Sequence, residues 1–205
     1  RSATQLANGI EINITEYEND VKGTYEQDNP QNPFRSYFAF TKKTTSRDYE
    51  STGPSIGELT DINITTSDYD DLGNVLYQVQ DYGDGFKDSL VNQYGNVIDN
   101  NRWHLSRLQN SILYRHAPGQ SQIIRKSAFQ YDGQTGLLIR ETTEPYSSDN
   151  VKIVKEYTYD VFGNILTSKT IAWNGYEMEE RVVTSVYDEK GRFAISNSNP
   201  LGHIS

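Results

Sequence analysis

Apolar and polar residues alternate along this chain in short runs. In Val154-Lys155-Glu156-Tyr157-Thr158-Tyr159 every second side chain falls on the same face of an extended strand. Ile10-Glu11-Ile12-Asn13-Ile14 and Tyr37-Phe38-Ala39-Phe40 are strand-like pieces as well. Clusters of Asn, Asp and Gly punctuate the runs, and these residues favour turns. The pattern predicts an all-β chain of short strands joined by tight turns, with no helices. Gln27-Asp28-Asn29-Pro30-Gln31-Asn32-Pro33 reads as a polar, proline-punctuated loop.

The turn clusters repeat. Tyr69-Asp70-Asp71-Leu72-Gly73-Asn74 is matched position for position by Tyr159-Asp160-Val161-Phe162-Gly163-Asn164. Tyr187-Asp188-Glu189-Lys190-Gly191-Arg192 is a third motif, and Tyr131-Asp132-Gly133-Gln134-Thr135-Gly136 a fourth with one extra residue. Each is followed by an apolar run, such as Val75-Leu76-Tyr77 or Ile165-Leu166-Thr167, that starts a return strand. Tyr131, Tyr159 and Tyr187 are spaced 28 residues apart, the mark of a repeat architecture.

The chemistry of the motif is local. The Asp carboxylate accepts hydrogen bonds from N–H groups further into the turn. The glycine supplies the positive φ of a tight hairpin. Each motif is therefore expected to close a β-hairpin, which must pair or stack with its neighbours to bury a face. The Tyr and Asp residues are read as structural, not catalytic.

The motifs divide the chain into a strand-rich segment over 1–58 without clear repeats and a continuous repeat region over 59–205. Asp81-Tyr82-Gly83-Asp84-Gly85 and Tyr94-Gly95-Asn96 read as degenerate turns, and Trp103-His104-Leu105-Ser106-Arg107-Leu108 is the most distinctive apolar patch of the middle. Two departures count against a uniform hairpin ladder through 75–130. One is the extra residue in the Tyr131 motif, and the other is the long interval between Tyr69 and Tyr131.

Composition changes the picture in three ways. Fifteen tyrosines in 205 residues reinforce the strand reading. A net charge of −9, with no basic cluster longer than Lys42-Lys43, argues against nucleic acid as a partner. No apolar run approaches the roughly 20 residues of a spanning helix, and the absence of cysteine excludes disulfides and thiolate metal sites. The chain starts at Arg1 without Met or a visible signal peptide, and is expected to be an internal piece of a larger protein.

Candidate chemistry is sparse. His104, His116 and His203 lack metal-ligand spacing, no GxSxG elbow occurs, and no cofactor is implied. Asp81, Asp84 and Asp88 could ligate calcium, but the EF-hand pattern is not met and a solvated turn is the preferred reading. Trp103, Trp173 and the tyrosines leave a second function class open, a carbohydrate- or cell-surface-binding module.

The YDxxGN motifs resemble those of the Rhs/YD-repeat proteins. The run from Trp103-His104-Leu105-Ser106-Arg107-Leu108 through Phe129-Gln130-Tyr131-Asp132 and Glu141-Thr142-Thr143-Glu144-Pro145 resembles bacterial toxin-complex proteins of the SpvB and insecticidal toxin B-component type. Asn199-Pro200-Leu201-Gly202-His203 continues the same order. The resemblance covers residues 60–205. It implies a curved, spiralling antiparallel sheet of tandem hairpins, part of a larger shell that holds a C-terminal toxin polypeptide unfolded. The implied partners are the rest of the parent chain, that toxin and other toxin-complex subunits. The implied location is secreted or cell-surface, and no catalytic or metal residue is implied within this stretch.

Overall fold

A computed structural model describes residues 2–7, 9–23, 37–99 and 101–205. The Gln27–Pro33 loop lies outside them. The described residues form thirteen strands and no helix. In chain order these are β1 (Ser2–Ala7), β2 (Ile10–Gly23), β3 (Tyr37–Tyr49), β4 (Leu59–Tyr69) and β5 (Val75–Asp81). Then come β6 (Lys87–Ile98), β7 (Trp103–His116), β8 (Ile123–Tyr131) and β9 (Leu138–Thr143). The last four are β10 (Ile153–Tyr159), β11 (Ile165–Trp173), β12 (Met178–Tyr187) and β13 (Ala194–Ser198). No helix is long and apolar enough to cross a membrane.

Strand order in the sheet equals chain order, from β1 to β13. Neighbouring pairs such as β4–β5, from Ile64↔Asp81 to Tyr69↔Val75, run antiparallel. The order also runs sequentially through 75–130. A hairpin needs a turn, not a tyrosine, and the intervening turns use other residues. Tyr94-Gly95-Asn96 is likewise not a turn but lies inside β6. Gly95 has no positive φ. Its missing side chain makes room for Gln109, whose Nε2 sits 2.3 Å from where a Cβ would be.

The chain divides into two units, Arg1–Gln93 with Ile112–Ile124, and Tyr94–Ser111 with Arg125–Ser205. In the first, Phe38, Phe40 and Tyr69 form an aromatic cluster, with Phe40 and Tyr69 centroids 4.9 Å apart. In the second, the buried apolar anchor is Val154 at 4% exposure.

Burial is thin. Phe40 and Val154 are the buried hydrophobics among the described residues. A single layer of paired strands has no second layer to cover it, so side chains on both faces stay half-exposed. Cross-strand polar pairs occupy much of that surface. Thr158 and Thr167 hydroxyls meet at 2.6 Å, and Thr184 and Ser198 at 2.9 Å. Lys169 bridges Glu156 at 2.7 Å and Glu180 at 3.5 Å across three strands.

Candidate functional site

Turn chemistry builds the most organised feature of the molecule. In the Asp70 turn, the Gly73 N–H donates to the Asp70 carbonyl at 3.2 Å and the Asp70 N–H to the Asn74 carbonyl at 2.9 Å. This is a type I turn followed by a left-handed residue, Gly73 at φ 84°. The Asp70 carboxylate accepts the Leu72 and Asn74 N–H groups at 2.9 and 2.8 Å, and the Asn74 amide at 2.8 Å. Asp160 repeats the set with Phe162, Asn164 and the Asn164 amide at 2.9, 2.8 and 2.9 Å, closed by Gly163 at φ 88°.

The other two motifs vary it. Asp132 accepts the Gln134 and Thr135 N–H groups and the Thr135 hydroxyl, all on Oδ1, with Gly136 at φ 70° one residue later than usual. Asp188 accepts the Arg192 and Phe193 N–H groups, with Gly191 at φ 63°. The backbone bond from Thr135 comes first among the bonds that hold the Asp132 carboxyl below the usual carboxylate range. Partial burial works to raise the Asp160 carboxyl, but the Asn164 side chain and the turn N–H groups outweigh it and keep it low.

A register shift accompanies every motif. Asp68 faces Tyr77 but Tyr69 faces Val75, which leaves Leu76 as an extra residue on the return strand. Ile139, Leu166 and Ile195 are skipped in the same way after Tyr131, Tyr159 and Tyr187. Such bulges bend the strand locally and increase its twist.

Alternate turns of an antiparallel meander fall at the same end of the strands. In the second unit the turns at Asp99, Asp132, Asp160 and Asp188 share one end. The 28-residue period is thus two strands and two turns. Ile98-Asp99 takes the place of a missing Tyr-Asp pair, about one period from its neighbours. The Asp99 N–H donates to the Arg102 carbonyl at 2.9 Å, and its carboxylate accepts the Asn101 and Arg102 N–H groups at 2.9 and 2.8 Å.

Further turns share the hydrogen-bond pattern without the Tyr-Asp signature, among them that of Asn174, whose amide oxygen accepts the Tyr176 and Glu177 N–H groups at 2.9 and 3.0 Å. Asn199 uses its amide oxygen to accept the Leu201 and His203 N–H groups, both at 3.0 Å, with Gly202 at φ 79°. Glu50 accepts the Ser51 and Thr52 N–H groups, with Gly57 closing a longer loop. A search for Asp or Asn followed by Gly at the third position finds Asn199. Nothing so simple finds Asp99 or Glu50.

The tyrosines face their neighbours. The Tyr131 hydroxyl donates to the Leu108 carbonyl at 3.0 Å, and the Arg107 guanidinium lies over its ring at 5.4 Å. The Tyr159 hydroxyl donates to the Leu138 carbonyl at 2.5 Å. Tyr69 packs on Phe38 and Phe40, and Lys22 donates to its carbonyl. Tyr187 is half-buried on β12.

The remaining candidates do not converge. Asp81 pairs with Lys87 at 2.9 Å, and Asp88 with Arg115 at 2.9 Å. Lys87 sits opposite Asp81, so Asp88, the next residue, points to the other face of the sheet. Among the described residues, no group of three or more His, Asp or Glu is placed to hold a metal ion. His104 lies against Gly136, His116 is exposed, and His203 Nδ1 contacts the Asn199 amide at 3.3 Å. Trp103 is 75% exposed at the Asp-turn end of β7. Trp173 lies at the opposite end of β11, four strands away.

No family model and no curated protein matches the chain. Among solved structures it is similar to one described as "Crystal Structure of TcdB2-TccC3-Cdc42", at 14% identity and a TM-score of 0.40. That likeness covers 97% of this chain, which spans 12% of the other.

Proposed function

We propose that this chain is a wall segment of a secreted or cell-surface protein of the Rhs/YD-repeat, toxin-complex type. In this reading it is structural and non-catalytic. Its hairpins form part of a curved β-sheet shell that encloses a C-terminal toxin polypeptide, and its partners are the rest of the parent chain and other toxin-complex subunits.

One observation carries the reading: Asp-centred turns recur at one end of a single-layer sheet whose two faces are both left accessible. A sheet with two buried hydrophobics among its described residues is poorly suited to stand alone. It is well suited to separate two compartments, because paired strands satisfy one another's backbone groups within the wall. The alternative, a Tyr/Trp-rich carbohydrate-binding module, needs aromatics gathered on one platform. Trp103 and Trp173 are separated by four strand spacings, roughly 19 Å, and lie at opposite strand ends.

The test is protease protection in the intact parent protein. The C-terminal segment is expected to resist digestion until the shell is denatured, when it becomes cleavable. Digestion at the rate of the isolated segment would overturn the shell reading. A glycan array with high-affinity hits would favour the binding module.

A further inference from the structure

At the Asp-turn end of the second unit, two ladders between consecutive hairpins stop short of the turns. The β9–β10 ladder ends at Glu156↔Arg140, although β10 continues to Tyr159. The β11–β12 ladder ends at Thr167↔Thr184, although β12 continues to Tyr187. Within each hairpin, by contrast, pairing reaches Tyr159↔Ile165 and Tyr187↔Ala194. Backbone pairing therefore leaves adjacent turns untied.

Side chains cross that gap. The Arg102 Nη1 donates to the Gly133 carbonyl at 3.0 Å. The Asn164 Nδ2 donates to the Gly191 carbonyl at 2.8 Å. In both cases the donor closes its own turn, through its carbonyl, and the acceptor belongs to the next Asp turn along the chain. Between these two links the contact is apolar: Leu137 Cδ1 lies 3.9 Å from the Cβ position of Gly163. The approach is close at Gly191, where a Cβ would sit 2.3 Å from the Phe162 ring and 3.0 Å from Asn164 Nδ2.

We propose that Arg102 and Asn164 are positioning residues that couple each turn to the next one in the N-to-C direction. They set the separation of neighbouring turns, at Asn164 beyond the point where the strand ladder ends. The residue that closes a turn thus has two roles, one inside its turn and one in the next. This holds whether or not the chain belongs to a shell.

Hydrogen–deuterium exchange on the whole chain separates the two roles. Asn164→Ala is expected to speed exchange of the 188–193 amides on the order of three- to tenfold, as loss of one hydrogen bond would, with 132–137 unchanged. Arg102→Ala is expected to do the same to 132–137, and Arg102→Lys, which keeps a donor, to restore part of the protection. Asp160→Ala breaks the turn that Asn164 closes but keeps its amide, so it should loosen 160–164 more than 188–193. Faster exchange confined to the substituted residue's own turn would overturn the proposal. Loss of the β signal in far-UV circular dichroism for both alanine variants would also overturn it, since a link between two turns does not hold the whole sheet.

Discussion

The Tyr159 hydroxyl donates to the Leu138 carbonyl at 2.5 Å, tying the tyrosine of one motif to the first return-strand residue of the motif before it. The β9–β10 ladder has already ended at Arg140, so the phenol supplies the bond that a paired strand would have made. The Tyr131 hydroxyl likewise donates to a neighbouring strand, to the Leu108 carbonyl within β7, at 3.0 Å. Tyr159→Phe keeps the packing and leaves that carbonyl without its donor. It is expected to lower unfolding free energy by about 1 kcal/mol, read from urea denaturation. A change indistinguishable from zero would mean the carbonyl finds water instead.

Half-buried tyrosines give the fold an alkaline limit. Burial pushes the Tyr131, Tyr157 and Tyr159 phenols up from their ordinary value. A folded pKa above the unfolded one means stability that is complete below about pH 10 and lost as pH rises through the folded values. Spectrophotometric titration should show these phenols ionising above the ordinary tyrosine value of about pH 10, and unfolding in step with their ionisation.

Asp132 offers a sharper test of the turn chemistry, because all its hydrogen bonds fall on Oδ1. An asparagine presents the same oxygen, as Asn199 does in the last turn. Asp132→Asn is therefore expected to stay close to the parent in stability at neutral pH, whereas Asp132→Ala is expected to be clearly less stable. The depressed carboxyl adds stability that is present above about pH 4 and fades as pH falls through its folded value. Acid unfolding should consequently shift in the Asn variant, which has no carboxyl there to protonate.

Calcium should do nothing. Asp81 and Asp88 sit on opposite faces and each already holds a cationic side chain. Millimolar calcium is expected to leave the melting temperature unchanged, and a rise of several degrees would point to a site these residues do not form.

How much of this was legible in the chain depends on how local the chemistry is. Asp70, Asp160 and their glycines announce themselves because the whole hydrogen-bond set lies within five residues. Strand alternation gave the all-β class for the same reason. Asp99 was hidden because Ile98 stands where a tyrosine was sought, and the tyrosine matters only through a neighbouring strand. Tyr94-Gly95-Asn96 looked like a turn because its glycine answers to Gln109 across the sheet, not to local backbone. The Arg102–Gly133 and Asn164–Gly191 links are 31 and 27 residues apart, and no local pattern encodes which turn lies next.

Two glycines separate backbone strain from crowding. Gly202 has φ 79° and nothing within 4 Å of its Cβ position, so Gly202→Ala meets only the left-handed penalty, about 1–2 kcal/mol. Gly191 has φ 63° and the Phe162 ring 2.3 Å from that position. Gly191→Ala is expected to cost that penalty plus about 1–3 kcal/mol for displacing the ring. The added Phe162→Ala change should recover the second part only, because Phe162 is 61% exposed and contributes little burial itself. Thermal or urea unfolding of the three variants measures the difference directly. Equal losses for Gly191→Ala and Gly202→Ala would mean the glycine serves its own turn alone, and that adjacent turns are not in contact at Phe162.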